Sequence, residues 1–241
     1  MSLWDNYAII GYESLQALIP YQQLQRQVMS SAELTAGKRL LIAGCGVGFF
    51  DKLVVDNVND VKIDSVDFST SMLQRARNRC SNFSNITHQQ ADLCKKFPFD
   101  DAQFDVVVMT NVMYALPNAP AALKEISRVL KVGGKFILTD RKPDSTPDGI
   151  QKAHFKALSQ LSIKEKTGYW VKTLPLLPSL IAVKVINNKI QQKGAEGEYF
   201  FRPTDEVTAM LQAVGLTVKN EQVVYGEQCW MLTAVKEDDK I

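Results

Sequence analysis

The sequence predicts an α/β fold in which a mostly parallel β-sheet is covered by helices on both faces. From residue 38 to residue 140, short apolar segments alternate with segments of helical periodicity, as in successive β-α-β units. The first apolar segment, Arg39–Ala43, is continuous and stops at glycines, which is typical of a buried parallel strand. Hydrophobic residues make up 46% of the chain and charged residues 22%, so one core can form without disulfide or metal cross-links.

Strands are predicted where apolar or alternating segments end at turn residues. They are Arg39–Ala43, Val61–Val66, Ile86–Gln90, Phe104–Met109, Lys135–Thr139, Leu216–Val224 and Cys229–Val235. Helices are predicted where apolar residues recur every three or four positions. They are one or two helices in 14–34 interrupted by Pro20, then Phe49–Val58, Met72–Cys80, Ala121–Leu130 and Thr204–Val214. We expect Ser69 or Thr70 to cap the helix Met72–Cys80, and Gly133-Gly134 to stop the helix Ala121–Leu130.

Composition limits the classes of partner, compartment and site. The formal net charge of +2 by itself implies no nucleic-acid partner. The start of the chain has no basic n-region and no apolar h-region, so we expect a cytoplasmic protein whose four cysteines are free. No segment reaches the roughly 18 apolar residues that a transmembrane helix needs. With only two histidines and no C-x-x-C pair, we predict no metal site.

A glycine-rich loop, Gly44–Gly48, follows the first strand and precedes a helix. Its glycines allow a sharp turn and a close approach to a ligand, and the next helix presents unpaired N–H groups. A dinucleotide loop, G-x-G-x-x-G, would place its third glycine at position 49, which is Phe49 here. The G-x-G-x-G spacing therefore argues against NAD and favours a cofactor without a pyrophosphate. On the loop alone, a tight turn without a ligand stays open.

Two acidic residues follow the next two strands. Asp67 ends the second strand, where a carboxylate can accept hydrogen bonds from a ribose diol; the alternative is a turn residue that caps the next helix. Asp92 follows the third strand and can accept from an amine such as adenine N6, while Leu93 covers a ring face; the alternative is an ordinary loop residue. Carboxyl ends of adjacent parallel strands are where open α/β sheets bind ligands, which favours the binding interpretation.

Four longer motifs occur in order along the chain. They are Leu40–Gly48, Val66–Leu73, Ala91–Asp105 and Arg128–Gly134. Together they resemble the class I S-adenosylmethionine-dependent methyltransferases, especially the small-molecule group that includes the quinone methyltransferases. The resemblance covers about residues 38–140, and the last two strands fit the family's antiparallel ending. It implies a Rossmann-like seven-stranded methyltransferase sheet with an antiparallel last strand, S-adenosylmethionine as cofactor, and O- or C-methylation of a small molecule.

The resemblance also implies a set of cofactor-binding residues. They are Tyr12, Gly44, Cys45, Gly46, Gly48, Asp67, Phe68, Met72, Asp92, Leu93, Thr110 and Asn111. The glycines would pass under the methionine part of the cofactor, and Asp67 would hold the ribose hydroxyls. Phe68 and Met72 would line the adenine slot, and Thr110 and Asn111 would face the sulfonium. Tyr12, with Tyr7, resembles the N-terminal lid residues of the family, although simple packing is an equal alternative.

One position departs from the family's pattern. The family usually has Asp or Glu two residues before the first glycine of the loop, and this chain has Ile42. That acid normally helps to bind the cofactor's amino group. The departure leaves a second function open, namely a cofactor-binding or scaffolding protein that keeps the methyltransferase fold without methyl transfer.

The segment 142–203 fits the strand–helix alternation poorly and predicts a helical cap over the site. Within it, His154 is the candidate general base for a hydroxyl or activated-carbon acceptor, whereas His88 is predicted to be structural. Apolar and aromatic runs at Tyr169-Trp170, Leu174–Leu177 and Leu180–Ile186 predict an apolar acceptor pocket.

Lysines are concentrated in the basic cap 151–195, where eight of them stand against one acid, Glu165. They could bind an anionic acceptor, rest peripherally on an acidic membrane surface, or keep a solvated helix face soluble. No basic strand carries interleaved aromatic residues, so no nucleic-acid partner is predicted. We expect a single domain, 1–241, in four parts: lid helices 1–36, cofactor-binding core 37–141, substrate cap 142–203, and 204–241 completing the sheet.

Overall fold

The computed structural model describes residues 12–174 and 177–238, apart from a few side chains, and these residues build one seven-stranded sheet. The strands are β1 (Arg39–Ala43), β2 (Lys62–Asp67), β3 (Ile86–Gln90), β4 (Phe104–Thr110), β5 (Leu130–Arg141), β6 (Leu216–Val224) and β7 (Cys229–Lys236). Their order is β3-β2-β1-β4-β5-β7-β6, with β7 antiparallel to both neighbours. The predicted α/β class, mostly parallel sheet and antiparallel last strand are confirmed.

Helices flank this sheet. They are α1 (Ile19–Ala32), α2 (Phe49–Asn57), α3 (Thr70–Arg79), α4 (Ala119–Val129), α5 (Pro147–Ser159), α6 (Ile163–Thr173), α7 (Leu177–Ala195) and α8 (Thr204–Gln212), with 3₁₀ turns at Tyr12–Ala17 and Met113–Ala115. Pro20 lies in the first turn of α1, where a missing N–H costs nothing, so it begins this helix rather than interrupting it. Ser69 caps α3 as predicted, since its Oγ accepts from the backbone N–H of Met72 at 3.2 Å.

Strand β5 is longer than the sequence predicts at both ends. Helix α4 ends at Val129, so Gly133-Gly134 does not stop it but lies inside the strand. Phe104 pairs with Leu130 while Val106 pairs with Lys135, so extra residues bulge out of β5 at these glycines. At the other end, pairing of Arg141 with a residue of β7 carries the strand past the predicted end at Thr139.

Two apolar layers hold the sheet between the helices. Alternate side chains of β1 enter opposite layers, as expected of a pleated strand. Leu40 and Ile42 pack with residues of α1, α2 and α3, whereas Leu41 and Ala43 pack with residues of α4 and α8. The strand order reverses between β1 and β4, which makes their carboxyl ends the position where an open α/β sheet binds ligands.

The segment 142–203 is largely helical and contains α5, α6 and α7. Helix α6 begins with a capping box in which Ser162 and Glu165 satisfy each other's backbone N–H groups. Among the helices in the described part of the chain, none combines the length and the apolar character needed to cross a membrane.

Candidate active site

A cavity of about 380 Å³ opens at the carboxyl ends of β1, β2, β3 and β4, and we call it the main cavity. Ten of the twelve predicted cofactor residues line it. They are Tyr12, Gly44, Gly46, Asp67, Phe68, Met72, Asp92, Leu93, Thr110 and Asn111. Residues far apart in the sequence therefore meet at one place. Tyr7 lies outside the described residues.

Hydrogen bonds hold the glycine loop against β2. The backbone N–H groups of Gly44 and Cys45 both donate to the carbonyl of Val66, at 2.8 and 3.0 Å. Gly46 has a φ of +56°, and a Cβ at this position would lie 3.2 Å from the hydroxyl oxygen of Tyr12. The loop thus needs glycine here both for its backbone conformation and for the close approach of the tyrosine.

Two predicted loop residues do not line the main cavity. Gly48 begins α2 with a φ of +78°, and a Cβ there would lie 3.0 Å from the Cα of Ala76 in α3. Its role in the structure is to let the loop pack on that helix. Cys45 is buried and lines a smaller neighbouring cavity instead.

Asp67 has both predicted roles available to it. Its Oδ2 accepts from the backbone N–H of Gly46 at 2.8 Å, and its Oδ1 accepts from that of Ser69 at 2.9 Å. Burial raises the pKa of this carboxyl group, while the backbone donors oppose that increase. Each carboxylate oxygen can accept a second hydrogen bond, so the residue holds the turn and can still accept from a diol in the main cavity.

An apolar slot with an acidic end occupies the side of the main cavity at β2 and β3. Met72 and Leu93 are buried in its wall, and Phe68 stands at the rim with 61% of its surface exposed. The Oδ1 of Asp92 accepts from the backbone N–H of Cys94 at 3.0 Å, which orients the carboxylate in the same wall. The arrangement suits a flat heterocycle with an exocyclic amine.

The smaller cavity, of about 40 Å³, shares Tyr12 and Asn111 with the main cavity. Ile42 lies in its wall and brings no polar atom to the position where the family usually has an acid. Gln25 of α1 lies in the same wall with only 8% of its surface exposed, so a side-chain amide is present there. Sequence reasoning missed Gln25, because nothing distinguishes it from the other glutamines of that helix.

His154, the predicted general base, does not line the main cavity. Its Nδ1 accepts from the backbone N–H of Ile19 at 3.2 Å, so Nε2 carries the proton and faces the hydroxyl of Tyr169 at 3.1 Å. That hydroxyl in turn donates to the carbonyl of Ala17. The histidine is 6% exposed, and its hydrogen bonds link α5 to α6 and to the start of α1, as expected of a residue with a structural role.

This position predicts a pH dependence of stability. Burial lowers the pKa of His154 below the ordinary 6.5, so the unfolded chain binds this proton more readily than the folded chain does. The free energy of unfolding should therefore fall as the pH drops below about 6.5 towards the lowered folded pKa. Urea unfolding across this range should show the decrease in wild type and a smaller one in His154→Asn. An equal decrease in both proteins would contradict the assignment.

Other residues singled out in the sequence lie away from the main cavity. The side chain of His88 is 4% exposed, and its Nε2 lies 3.0 Å from Oδ1 of Asp51, which also accepts from the hydroxyl of Ser65. Trp170 is 42% exposed, and part of the predicted apolar run 174–186 lies outside the described residues. In the part of the chain that the structure describes, no three potential metal ligands are grouped together.

Residues 41–138 match the family model of the methyltransferase domain. This range contains the glycine loop and both acidic residues of the main cavity. These residues thus form a domain of the class I S-adenosylmethionine-dependent methyltransferase type. The predicted fold, family and cofactor are thereby confirmed, whereas the roles of the individual residues stay predictions.

Similar proteins agree with this family. This chain is 28% identical over 217 residues to the demethylmenaquinone methyltransferase of Staphylococcus carnosus. The match covers 88% of this chain and 82% of that protein. The chain is 30% identical over 142 residues to the sterol 4-C-methyltransferase of Caenorhabditis elegans, covering 58% of this chain but less than half, 42%, of that relative. The crystal structure of a methyltransferase from Aquifex aeolicus superposes with a TM-score of 0.64 at 16% identity, over 98% of this chain and 99% of that one, and shares its fold.

Proposed function

We propose that the main cavity binds S-adenosylmethionine and that the enzyme transfers its methyl group to a small-molecule acceptor. The observation that carries this proposal is the convergence of the ten predicted residues at the reversal of strand order. Asp67 would accept from the ribose hydroxyls, and Asp92 from the adenine amine. Thr110 and Asn111, at the carboxyl end of β4, would lie beside the sulfonium.

Methyl transfer from a sulfonium mainly requires the enzyme to position the acceptor and the methyl donor. Bound S-adenosylmethionine would supply an activated methyl group, and a nucleophilic atom of the acceptor would attack its carbon in line with the carbon–sulfur bond, which would break and leave its electron pair on sulfur. The products would be S-adenosylhomocysteine and the methylated acceptor, and the proton that a hydroxyl or a C–H acid loses would pass to solvent water. Holding the two reactants in this geometry can supply about 7–11 kcal/mol. We do not propose His154 as a base, because it does not line the main cavity and both of its ring nitrogens already have partners, Ile19 and Tyr169.

The class of acceptor follows from the relatives only in outline. Proteins named for demethylmenaquinone and for sterol C-methylation are among them, so a small organic molecule is the expected acceptor here. Transfer of a labelled methyl group from S-adenosylmethionine to the small-molecule fraction of a cell extract tests this. Tight binding of the cofactor without any transfer would favour the alternative of a non-catalytic methyltransferase-fold protein.

Gln25 is our proposed replacement for the missing acid at Ile42. Its amide oxygen would accept from the ammonium group of the methionine part, since both residues line the smaller cavity. Gln25→Leu should weaken the binding of S-adenosylhomocysteine about tenfold, because one hydrogen bond to a charged group is lost. The affinity for 5′-methylthioadenosine, which lacks the amino-acid part, should not change.

The exposed Gln23 lies two residues away on the same helix and supplies the matched control. Gln23→Leu should leave both affinities at the wild-type value. Equal loss of affinity for the two ligands in Gln25→Leu would show that the substitution disturbs the cavity as a whole and would reject the proposed contact.

The basic cap and the location of the protein stay predictions. Part of the charge in this segment is paired, since Lys184 lies 3.3 Å from Asp148 and Lys193 contacts Glu198. A cytoplasmic location and peripheral contact of the basic cap with acidic membranes remain our expectations from the sequence. Sedimentation with anionic vesicles, compared with neutral ones, tests the membrane contact.

A further inference from the structure

A third cavity, of about 50 Å³, lies beside the carboxyl end of β5 and contains the side chain of Arg141, so we call it the arginine cavity. It shares Tyr12 and Asn111 with the main cavity, so the two spaces adjoin at these residues. Tyr114, Asn187 and Tyr225 also line it. Its walls thus contain several polar side chains around one cation.

Arg141 is only 4% exposed, yet its Nη1 and Nη2 have no hydrogen-bond partner in residues 12–174 and 177–238. The ring of Phe201 lies beside the guanidinium group, with its centroid 5.8 Å from the guanidinium carbon. A buried charge without a partner is costly, because it loses its hydration and gains nothing in return. Such an arrangement points to a ligand that completes the pairing.

The adjacent carboxyl group, Asp140, does not complete it. One oxygen of Asp140 accepts from the backbone N–H of Tyr114 at 2.6 Å, and the other accepts from that of Arg141 at 2.8 Å. Both oxygens are therefore directed to the backbone. Burial raises the pKa of Asp140 to about 7, although its backbone donors and the charge of Arg141 oppose the increase, so this carboxyl group is only a partial counter-charge to the guanidinium near neutral pH.

The position of Arg141 in the sheet separates it from the nucleoside side of the main cavity. Asp67 ends β2 and Asp92 follows β3, whereas Arg141 ends β5, on the other side of β1 and β4. The side at β4 and β5 is thus free to receive the second reactant. A guanidinium group offers parallel N–H donors that match a carboxylate in a bidentate manner. The cavity holds several times the roughly 10–15 Å³ that one water needs, which suits a carboxylate group.

We propose that Arg141 binds a carboxylate group of the methyl acceptor, so that the acceptors of this enzyme are small carboxylic acids. The inference rests on the proposed function, because it places the acceptor beside a cofactor bound in the main cavity. Arg141 touches the acceptor away from the atom that receives the methyl group, so it is a specificity-determining residue.

The test uses the full chain saturated with S-adenosylhomocysteine and two matched pairs of probes, benzoate with benzamide and octanoate with octanamide. Ligand-observed NMR should show that each acid binds about tenfold or more tightly than its amide, as expected for a charged hydrogen-bonded pair. In Arg141→Gln this preference should disappear, while the affinity for S-adenosylhomocysteine stays at the wild-type value. Arg141→Lys, which keeps the charge but not the parallel donors, should retain part of it.

Several results would overturn the proposal. If wild type binds neither acid more tightly than its amide, the cavity does not recognise a carboxylate group. If the preference for the acids persists in Arg141→Gln, Arg141 is not the residue that binds the carboxylate. If Arg141→Gln and Arg141→Lys are folded but no longer bind S-adenosylhomocysteine, Arg141 binds the carboxylate of the cofactor itself and not that of the acceptor. If wild type does not bind S-adenosylhomocysteine at all, it is the proposed function that fails.

Thermal unfolding in the absence of ligands provides a second measurement that does not depend on the probes. Removal of a buried unpaired charge should leave the melting temperature of Arg141→Gln equal to or above that of wild type. A large decrease would show that the guanidinium is paired within the protein and would contradict the proposal.

Discussion

Asp67→Ala should raise the dissociation constant of S-adenosylhomocysteine about 10- to 150-fold, equivalent to about 1.5–3 kcal/mol for hydrogen bonds to a charged acceptor. The reason is that the carboxylate lies in the wall of the main cavity, with lone pairs left over after it accepts from Gly46 and Ser69. The variant should also unfold at a lower temperature, because those two backbone donors lose their acceptor. Isothermal titration calorimetry and thermal unfolding measure the two effects separately.

Asp64 provides the matched control for this substitution. It lies on the same strand, and its carboxylate binds the guanidinium of Arg39 at 2.9 Å without lining the main cavity. Asp64→Ala should therefore lower stability and leave the affinity for S-adenosylhomocysteine unchanged. If Asp67→Ala behaves in the same way as Asp64→Ala, Asp67 is only a turn residue.

Gly48→Ala should lower the free energy of unfolding by about 2–5 kcal/mol, the sum of two effects. A left-handed backbone with a φ of +78° costs a residue with a Cβ about 1–2 kcal/mol. The new methyl group would also lie 3.0 Å from the Cα of Ala76, and crowding of this kind costs about 1–3 kcal/mol. Backbone cannot rotate away, so α3 or the loop has to shift. Urea unfolding monitored by circular dichroism measures the change.

Gly37 separates these two effects. It has nearly the same conformation, with a φ of +80°, but nothing lies within 4 Å of a Cβ placed there. Gly37→Ala should therefore cost only the backbone strain, about 1–2 kcal/mol. The difference between the two variants measures how tightly the glycine loop packs on α3. Equal losses would contradict close packing at Gly48.

Much of the nucleotide side of the site could be predicted from the sequence because its signals are local. Apolar runs predict β1 and β4, and glycines and acids directly after strands predict ligand contacts at one edge of the sheet. The resemblance to the methyltransferases then adds Tyr12 and Phe68, which carry no such signal alone. Of the residues predicted in these two ways, the main cavity is lined by Gly44, Gly46, Asp67, Asp92, Tyr12 and Phe68 but not by Gly48.

The rest depends on tertiary contacts. The bulge in β5 arises from pairing with β4, and the extension to Arg141 arises from pairing with β7, which no local pattern reports. A histidine in a predicted cap is chemically suited to act as a base, but the backbone N–H of Ile19, far away in the sequence, decides where His154 lies. Arg141 carried one weak signal, a charged pair after an apolar strand, and Gln25 carried none.

We propose the main cavity as the binding site for the nucleoside of S-adenosylmethionine. Titration of the full chain with S-adenosylhomocysteine in a calorimeter tests it most directly. We expect one binding site per chain, with an affinity that falls in Asp67→Ala and not in Asp64→Ala. Absence of binding to both S-adenosylmethionine and S-adenosylhomocysteine, by a chain shown to be folded, would contradict it.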